Sequence, residues 1–215
     1  NPRCIVVHES TGITEIGQIE DLTLALSQRP AFSHFLRKRF PFRNVSIVPY
    51  HGSVTPFLED DRYAMQGYVF SEPVVARRMG ADARALMVAE TGFNPYASVL
   101  ITTETTVRQQ PAMVAAVVRA SRQGWARYLD TPLETNQHIQ SLNPEMDLET
   151  LATAVELSHG LVLDEVAAEK GIGHMSKQRW ELLAEQMVEA AVIEAEQVQP
   201  SQCYTLKFLE TGAAL

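Results

Sequence analysis

Glu72 ends an apolar stretch and is followed at once by proline, in Gly67-Tyr68-Val69-Phe70-Ser71-Glu72-Pro73. Tyr68, Val69 and Phe70 read as a short buried strand. A carboxylate at the end of such a strand loses hydration, so it requires a partner. One candidate partner is internal: Pro73 suits the first turn of a helix over Val74 to Met79, and Arg77 and Arg78 lie one turn on. The other is a ligand.

Two further loops have the same character. Ser27-Gln28-Arg29-Pro30 lies between a strand and a helix start, where free N–H groups, a hydroxyl and a guanidinium suit an anion or a polar ring. Ser27 as a helix cap and Arg29 as a solvated cation is the alternative. Gly52-Ser53 follows the next strand in the same way. Tyr68 and Tyr96 adjoin polar loops, and each offers a ring face and a hydroxyl to a flat ligand. Gly92-Phe93-Asn94-Pro95-Tyr96 reads as a polar turn between two strands, either an ordinary turn or a hinge. Phe32 and Phe70 are expected to pack in the core.

Other chemistries find less support. The sequence holds neither GxSxG, GxGxxG, a P-loop nor HExxH. His8-Glu9 and His51 follow strands and could in principle hold zinc, but their scattered spacing reads more simply as polar lining. Cys4 and Cys203 form no metal spacing and pair only if the fold joins the two ends; buried or unpaired thiols are the expectation. The 215 residues carry a net charge of −8 and a pI of about 5.3. Arg37-Lys38-Arg39, the nearest approach to a basic stripe, points around a helix, so nucleic acid is not an expected partner. Hydrophobic residues at 46% and charged residues at 20% are ordinary globular proportions. No apolar run approaches the roughly 20 residues of a membrane span. The chain opens on Asn1-Pro2-Arg3 with no leader pattern.

The positioning elements change character along the chain. Strands are expected over Cys4–Val7, Leu22–Leu26, Val45–Tyr50, Arg84–Ala89 and the β-rich Ala97–Thr103. Helices are expected over Ala31–Phe40, Thr55–Asp61 and Val74–Met79. This alternation predicts an α/β layout with a largely parallel sheet, which binds ligands at the carboxyl ends of its strands. From Pro111 onward the pattern is helical, with amphipathic segments over Met113–Leu129, Asp147–Leu163 and Ser176–Ile193. Asn136–Pro144 is a connector or short helix. The tail, Gln199–Leu215, holds one short apolar segment, Tyr204–Leu209.

Several segments in this order resemble a known family: HESTGI, LTLALSQRPAFSHFL, VPYHGS, QGYVFSEP, LMVAETGFNPY, VLITTETTV and RASRQGWARYL. They look like the type II substrate-binding proteins of ABC importers, nearest the branch for thiamine-pyrimidine precursors, sulfonates and taurine. GYVFSEP followed by GFNPY is the most specific pair, and the likeness weakens after Leu163. The resemblance implies a type II periplasmic-binding-protein-like α/β fold. Residues 13–90 would form one complete lobe. Residues 1–12 and 91–215 would supply crossover strands and the helical C-terminal part of the other lobe. It also implies that about a hundred further residues, the size of a small domain, precede the matched point, so this chain corresponds to a C-terminal portion.

The same resemblance implies a monomeric, non-catalytic solute-binding protein, without cofactor or metal. It would capture a small organic compound between two lobes and deliver it to a membrane ABC permease from a periplasmic or extracellular place. The ligand-facing positions would be Ser27, Gln28, Arg29, Gly52, Ser53, Tyr68, Ser71, Glu72, Asn94 and Tyr96. Glu72 would pair with an amino group or ring nitrogen of the ligand. Two alternatives share the fold. A pyrimidine-precursor synthase-like enzyme would need a cofactor lysine, yet Lys38 is the only lysine of the α/β half, beside His8, His34 and His51. A metabolite-sensing effector domain would need a DNA-binding segment upstream.

Overall fold

Strand β1, Arg3–His8, opens the chain as an apolar run buried on both faces. The structure, a computed structural model, describes residues 1–209. Its contacts divide it into two units, Asn1–Pro95 with Gln178–Pro200, and Tyr96–Lys177 with the chain from Ser201.

In the first unit the order after β1 is β2 Thr23–Ala25, α1 Ala31–Arg39, β3 Ser46–Val48, α2 Thr55–Glu59, β4 Tyr63–Tyr68, α3 Glu72–Arg78 and β5 Ala83–Met87. The five strands form one sheet in the order β3-β2-β4-β1-β5. The sheet is mixed rather than largely parallel. β2 runs parallel to β3 and β4, whereas β1 lies between β4 and β5 and is antiparallel to both. A strand buried on both faces reads as a continuous apolar run whatever its direction, so the pattern of β1 carried no sign of its reversal.

Alternation along β1 serves two cores. Ile5 and Val7 join Leu24, Ala64, Leu86 and the α1 residues Phe32, Phe35 and Leu36 on one face. Cys4 and Val6 join Ala25, Met65, Phe57 of α2 and Ala76 of α3 on the other. The returning segment contributes Leu183 and Ala190 to the first core.

Two strand boundaries move. β4 ends at Tyr68, and Val69-Phe70 turn the chain: the Val69 N–H donates to the Pro2 carbonyl and the Ser71 N–H returns to that of Tyr68. β5 ends at Met87, and Val88–Thr91 forms a 3-10 turn closed by Gly92 in the left-handed region, at φ 91°. Phe93 is core, 2% exposed and packed at 4.8 Å on Phe35.

The second unit holds α4 Glu104–Gln109, α5 Pro111–Asp130, α6 Leu133–Leu142, α7 Leu148–Val162 and α8 Glu165–Lys170; α9, Lys177–Glu189, runs almost wholly in the first unit. Asp147 caps α7 by accepting from the Glu149 and Thr150 N–H groups, and Asp164 caps α8. The Tyr128 hydroxyl donates to Asn136 Oδ1 at 2.9 Å, tying α5 to α6. Asn136 lies within α6, so the short-helix alternative holds as far as Leu142. Residues Ala97–Thr103 form no strand. A β-branched run becomes a strand only where another supplies its ladder bonds, and among the described residues no strand pairs with it. Leu100 and Ile101 are 63% and 88% exposed. Of the C-terminal tail, residues 210–215 lie outside the described residues.

Candidate functional site

β2, β3, β4 and β5 all point the same way, so their carboxyl ends share one edge of the sheet with the amino end of β1. The loops carrying Ser27, Gly52-Ser53 and Ser71-Glu72 all leave from this edge. Short strands followed by helix starts make such an edge polar, because strand-end carbonyls and helix-start N–H groups lack partners within their own elements.

Glu72 is the hub of the edge. It is the first residue of α3, and Pro73 follows in the first turn, where its missing N–H leaves no intrahelical bond unmade. The carboxylate folds back onto β4. Oε2 accepts from the Tyr68 N–H at 2.7 Å, and Oε1 accepts from the Tyr50 hydroxyl at 2.6 Å. Gly67 makes room for this return: a Cβ there would lie 2.9 Å from Oε2 and 3.0 Å from the Glu72 Cβ.

The electrostatic consequences fall on two neighbours. Burial, then the hydrogen bond to Glu72 and its charge, raises the Tyr50 phenol above its ordinary value. Cys4, opposite Gly67 across the β1–β4 pair, is pushed up to about 12, by burial first and by the Glu72 charge second. It is a buried thiol, Cys203 is exposed, and no disulfide joins them.

Ser27 meets β4 by a second route. Its N–H donates to Gln66 Oε1 at 2.7 Å, and Gln66 is 7% exposed. Ser27 does not cap α1, whose cap position is Pro30. Gln28 and Arg29 are exposed. Gly52 takes φ 79°, which glycine adopts without strain, and Ser53 Oγ accepts from the Thr55 N–H at the start of α2. Ser71 is the cap residue of α3, and its carbonyl accepts from Val74 and Val75. Tyr68 stacks on Phe70 with planes 2° apart, and the Arg3 guanidinium lies 4.7 Å from the Tyr68 ring centre.

Asn94 and Tyr96 belong to different units. Asn94 is held within the first: Oδ1 accepts from the Asn1 amino terminus at 3.0 Å and from Arg179 Nη2 at 2.9 Å. The Tyr96 hydroxyl accepts from the Ser176 N–H at 2.8 Å in the second.

The structure thus joins Tyr68, Glu72 and, through β4, Ser27. It adds Tyr50, Gln66, Gly67 and Arg3, which the sequence reading left out of the site. Gln66 is the one with a visible signal, a lone polar side chain within an apolar strand.

The opposite end of the sheet accounts for His8. Its Nδ1 faces Asp82 Oδ1, its Nε2 lies 2.8 Å from the Phe57 carbonyl, and its ring stacks on Phe57 at 3.9 Å. Both ring nitrogens face acceptors, so the ring is held from two sides. Asp82 is held down at about 2 by that bond first and by the Ser10 N–H second. Glu9 Oε1 lies 3.9 Å from Arg84 Nε. Among the described residues, no three His, Cys, Asp or Glu side chains converge as a metal site would require, and no helix is long and apolar enough to cross a membrane.

The mixed sheet and its flanking helices agree with the type II periplasmic-binding fold. The family described as NMT1/THI5 like matches residues 1–135, and the chain belongs to it. A curated relative, riboflavin-binding protein RibY of Chloroflexus aurantiacus, is 30% identical over 159 residues. That match covers 73% of this chain and 45% of the relative, so the chain spans about half the length of the protein it matches.

Proposed function

We propose that the chain is part of a solute-binding protein of an ABC importer, and that its ligand is a small organic compound with a flat heterocycle. The observation that carries this reading is the carboxyl edge itself. There Tyr50, Tyr68 and Glu72, drawn from three elements, are locked together by hydrogen bonds of 2.6 and 2.7 Å. A rigid polar and aromatic wall at strand ends is what solute capture needs, because little ordering entropy is then lost on binding.

Residues 13–90 supply one lobe in this reading, and residues 1–12 and 91–215 belong to the crossover and the other. The ligand-facing positions are Ser27, Gln28, Arg29, Gly52, Ser53, Tyr68, Ser71 and Glu72, with Asn94 and Tyr96 at the passage between lobes. Glu72 acts chiefly by fixing Tyr50 and Tyr68, since both of its oxygens already have protein partners. The protein works as a monomer outside the cytoplasmic membrane and hands its solute to a permease.

The relative's name makes riboflavin the first compound to test, ahead of aminopyrimidines and alkylsulfonates. The experiment is a thermal-shift titration of this chain, and of the full reading frame that encodes it, with all three. A ligand that binds only the folded state raises its apparent stability. Saturable stabilisation by a heterocycle supports the reading. Stabilisation by alkylsulfonates alone overturns the heterocycle, and no stabilisation of either folded protein by any of the three overturns the reading.

A further inference from the structure

Arg3 is the first residue of β1 and pairs across the sheet with Tyr68. Its guanidinium lies 4.4 Å from the ring centre of Phe32 and 4.7 Å from that of Tyr68. Two aromatic side chains, one from α1 and one from the end of β4, thus share a single flat cation. Phe32 is only 3% exposed, and Arg3 covers part of it.

The guanidinium itself is held by little else. Outside the strand ladder, the Arg3 N–H donates to Asn1 Oδ1 at 3.2 Å. Among the described residues the guanidinium makes no ion pair and no hydrogen bond of its own. Aromatic faces alone hold it, and such contacts are weak and exchangeable at a partly exposed position. Its partners are better fixed than it is. Phe32 is packed in the core, and Tyr68 is held by its N–H bond to Glu72 and by stacking on Phe70.

A planar, delocalised cation with unused donors is a close physical stand-in for an amidine-like or amino-substituted aromatic ring. We propose that Phe32 and Tyr68 form a slot for a flat, nitrogen-bearing ring, and that Arg3 is its built-in occupant, displaced when such a ring enters. The proposal rests on the carboxyl edge being a solute site, and it assigns the part of that edge which takes the ring. It favours nitrogen-bearing rings over sulfonates, because the ring faces of Phe32 and Tyr68 are electron-rich. Arg3 would compete with every incoming solute, so removing it strengthens binding.

Benzamidine serves as the probe, since it is flat, cationic and available at high concentration. It is titrated by NMR into the wild-type chain and into Arg3→Ala, observing the ring protons of Phe32 and Tyr68. The expected result is about tenfold tighter binding to Arg3→Ala, the gain from removing a competitor of two cation–π contacts. Intermolecular contacts to both rings should appear, and Tyr68→Ala in the Arg3→Ala background should abolish them. Equal or weaker binding by Arg3→Ala, or contacts elsewhere, overturns the proposal.

If Arg3→Ala does not fold, the wild-type Arg3 Nε–H signal decides. It should lose its ring-current shift as benzamidine saturates, and an unmoved signal overturns the proposal. A riboflavin titration of the same two proteins separates the two readings. Benzamidine binding in the slot without riboflavin binding removes the flavin and leaves the slot standing. Riboflavin binding that Arg3→Ala weakens removes the built-in occupant and leaves the solute site standing.

Discussion

The Tyr50 hydroxyl donates to the Glu72 carboxylate across 22 residues of sequence, at 2.6 Å. This bond ties the loop after β3 to the first turn of α3, and Glu72 carries the tie on to the Tyr68 backbone. It also answers why a carboxylate stands just past the end of β4: its partners are a phenol and a backbone N–H, where an arginine one turn on was the expected internal choice.

Glu72→Gln is expected to preserve both contacts, because the amide oxygen accepts from Tyr68 and the amide nitrogen donates to the Tyr50 oxygen. The fold should survive with a stability loss of about 1 kcal/mol or less, whereas Glu72→Ala should cost about 1–3 kcal/mol by leaving the Tyr68 N–H unpaired. Urea melts of both variants check this. Unfolding of Glu72→Gln under native conditions would contradict it.

Tyr50 carries a pH dependence. Its folded-state phenol is raised above the ordinary value, so its contribution to stability is full below about pH 10 and is lost as pH rises through the raised value. Absorbance titration near 295 nm should show a late-ionising component that Tyr50→Phe reduces, the remainder coming from Tyr63 and Tyr128, which burial also raises. Glu72→Gln should bring it partway back, because burial, the larger cause, remains.

Gly67→Ala should destabilise by about 1–3 kcal/mol, the usual range for overpacking, since its methyl meets the Glu72 side chain at 2.9 to 3.0 Å. Combining it with Glu72→Ala should cost less than the sum of the two. A double-mutant cycle reads this coupling directly. Strict additivity would mean that the backbone, not Glu72, gives way.

Asp82 sets an acid dependence. Its folded value of about 2 lies below the ordinary carboxylate value, so it stabilises the fold above about pH 4, and that contribution is lost as pH falls toward 2. The carboxylate is 43% exposed, so solvent screens the pair. Asp82→Asn should flatten acid melts over this window. Asp82→Ala should cost about 1–3 kcal/mol by leaving the buried His8 ring short of an acceptor.

The two thiols should separate cleanly. Cys4 is fully buried and pushed up to about 12, whereas Cys203 is exposed. Ellman's reagent should modify Cys203 in the native protein and reach Cys4 only after unfolding. Rapid native labelling of both would contradict the burial of β1.

Local pattern alone determined most of the elements. β1 was readable from Cys4-Ile5-Val6-Val7, α1 from Phe32, Phe35 and Leu36 at helical spacing, and the start of α3 from Pro73. Each depends on residues within a few positions of one another, which sequence places in view. The long helices after Pro111 were readable for the same reason. The pairing of Asn136 with Tyr128 was not readable, because the two residues stand on different helices.

What only the tertiary structure decided involves partners distant along the chain. The reversal of β1 between β4 and β5 is a matter of which strand arrives beside which, and a strand buried on both faces does not encode its direction. Ala97–Thr103 has a strand's composition without a strand's neighbour among the described residues. Tyr50 reaches Glu72, Asp82 reaches His8 and Arg3 reaches Phe32 because the sheet brings separate strand ends to common edges. The residue types announced that polar groups there need partners; the order of strands chose which.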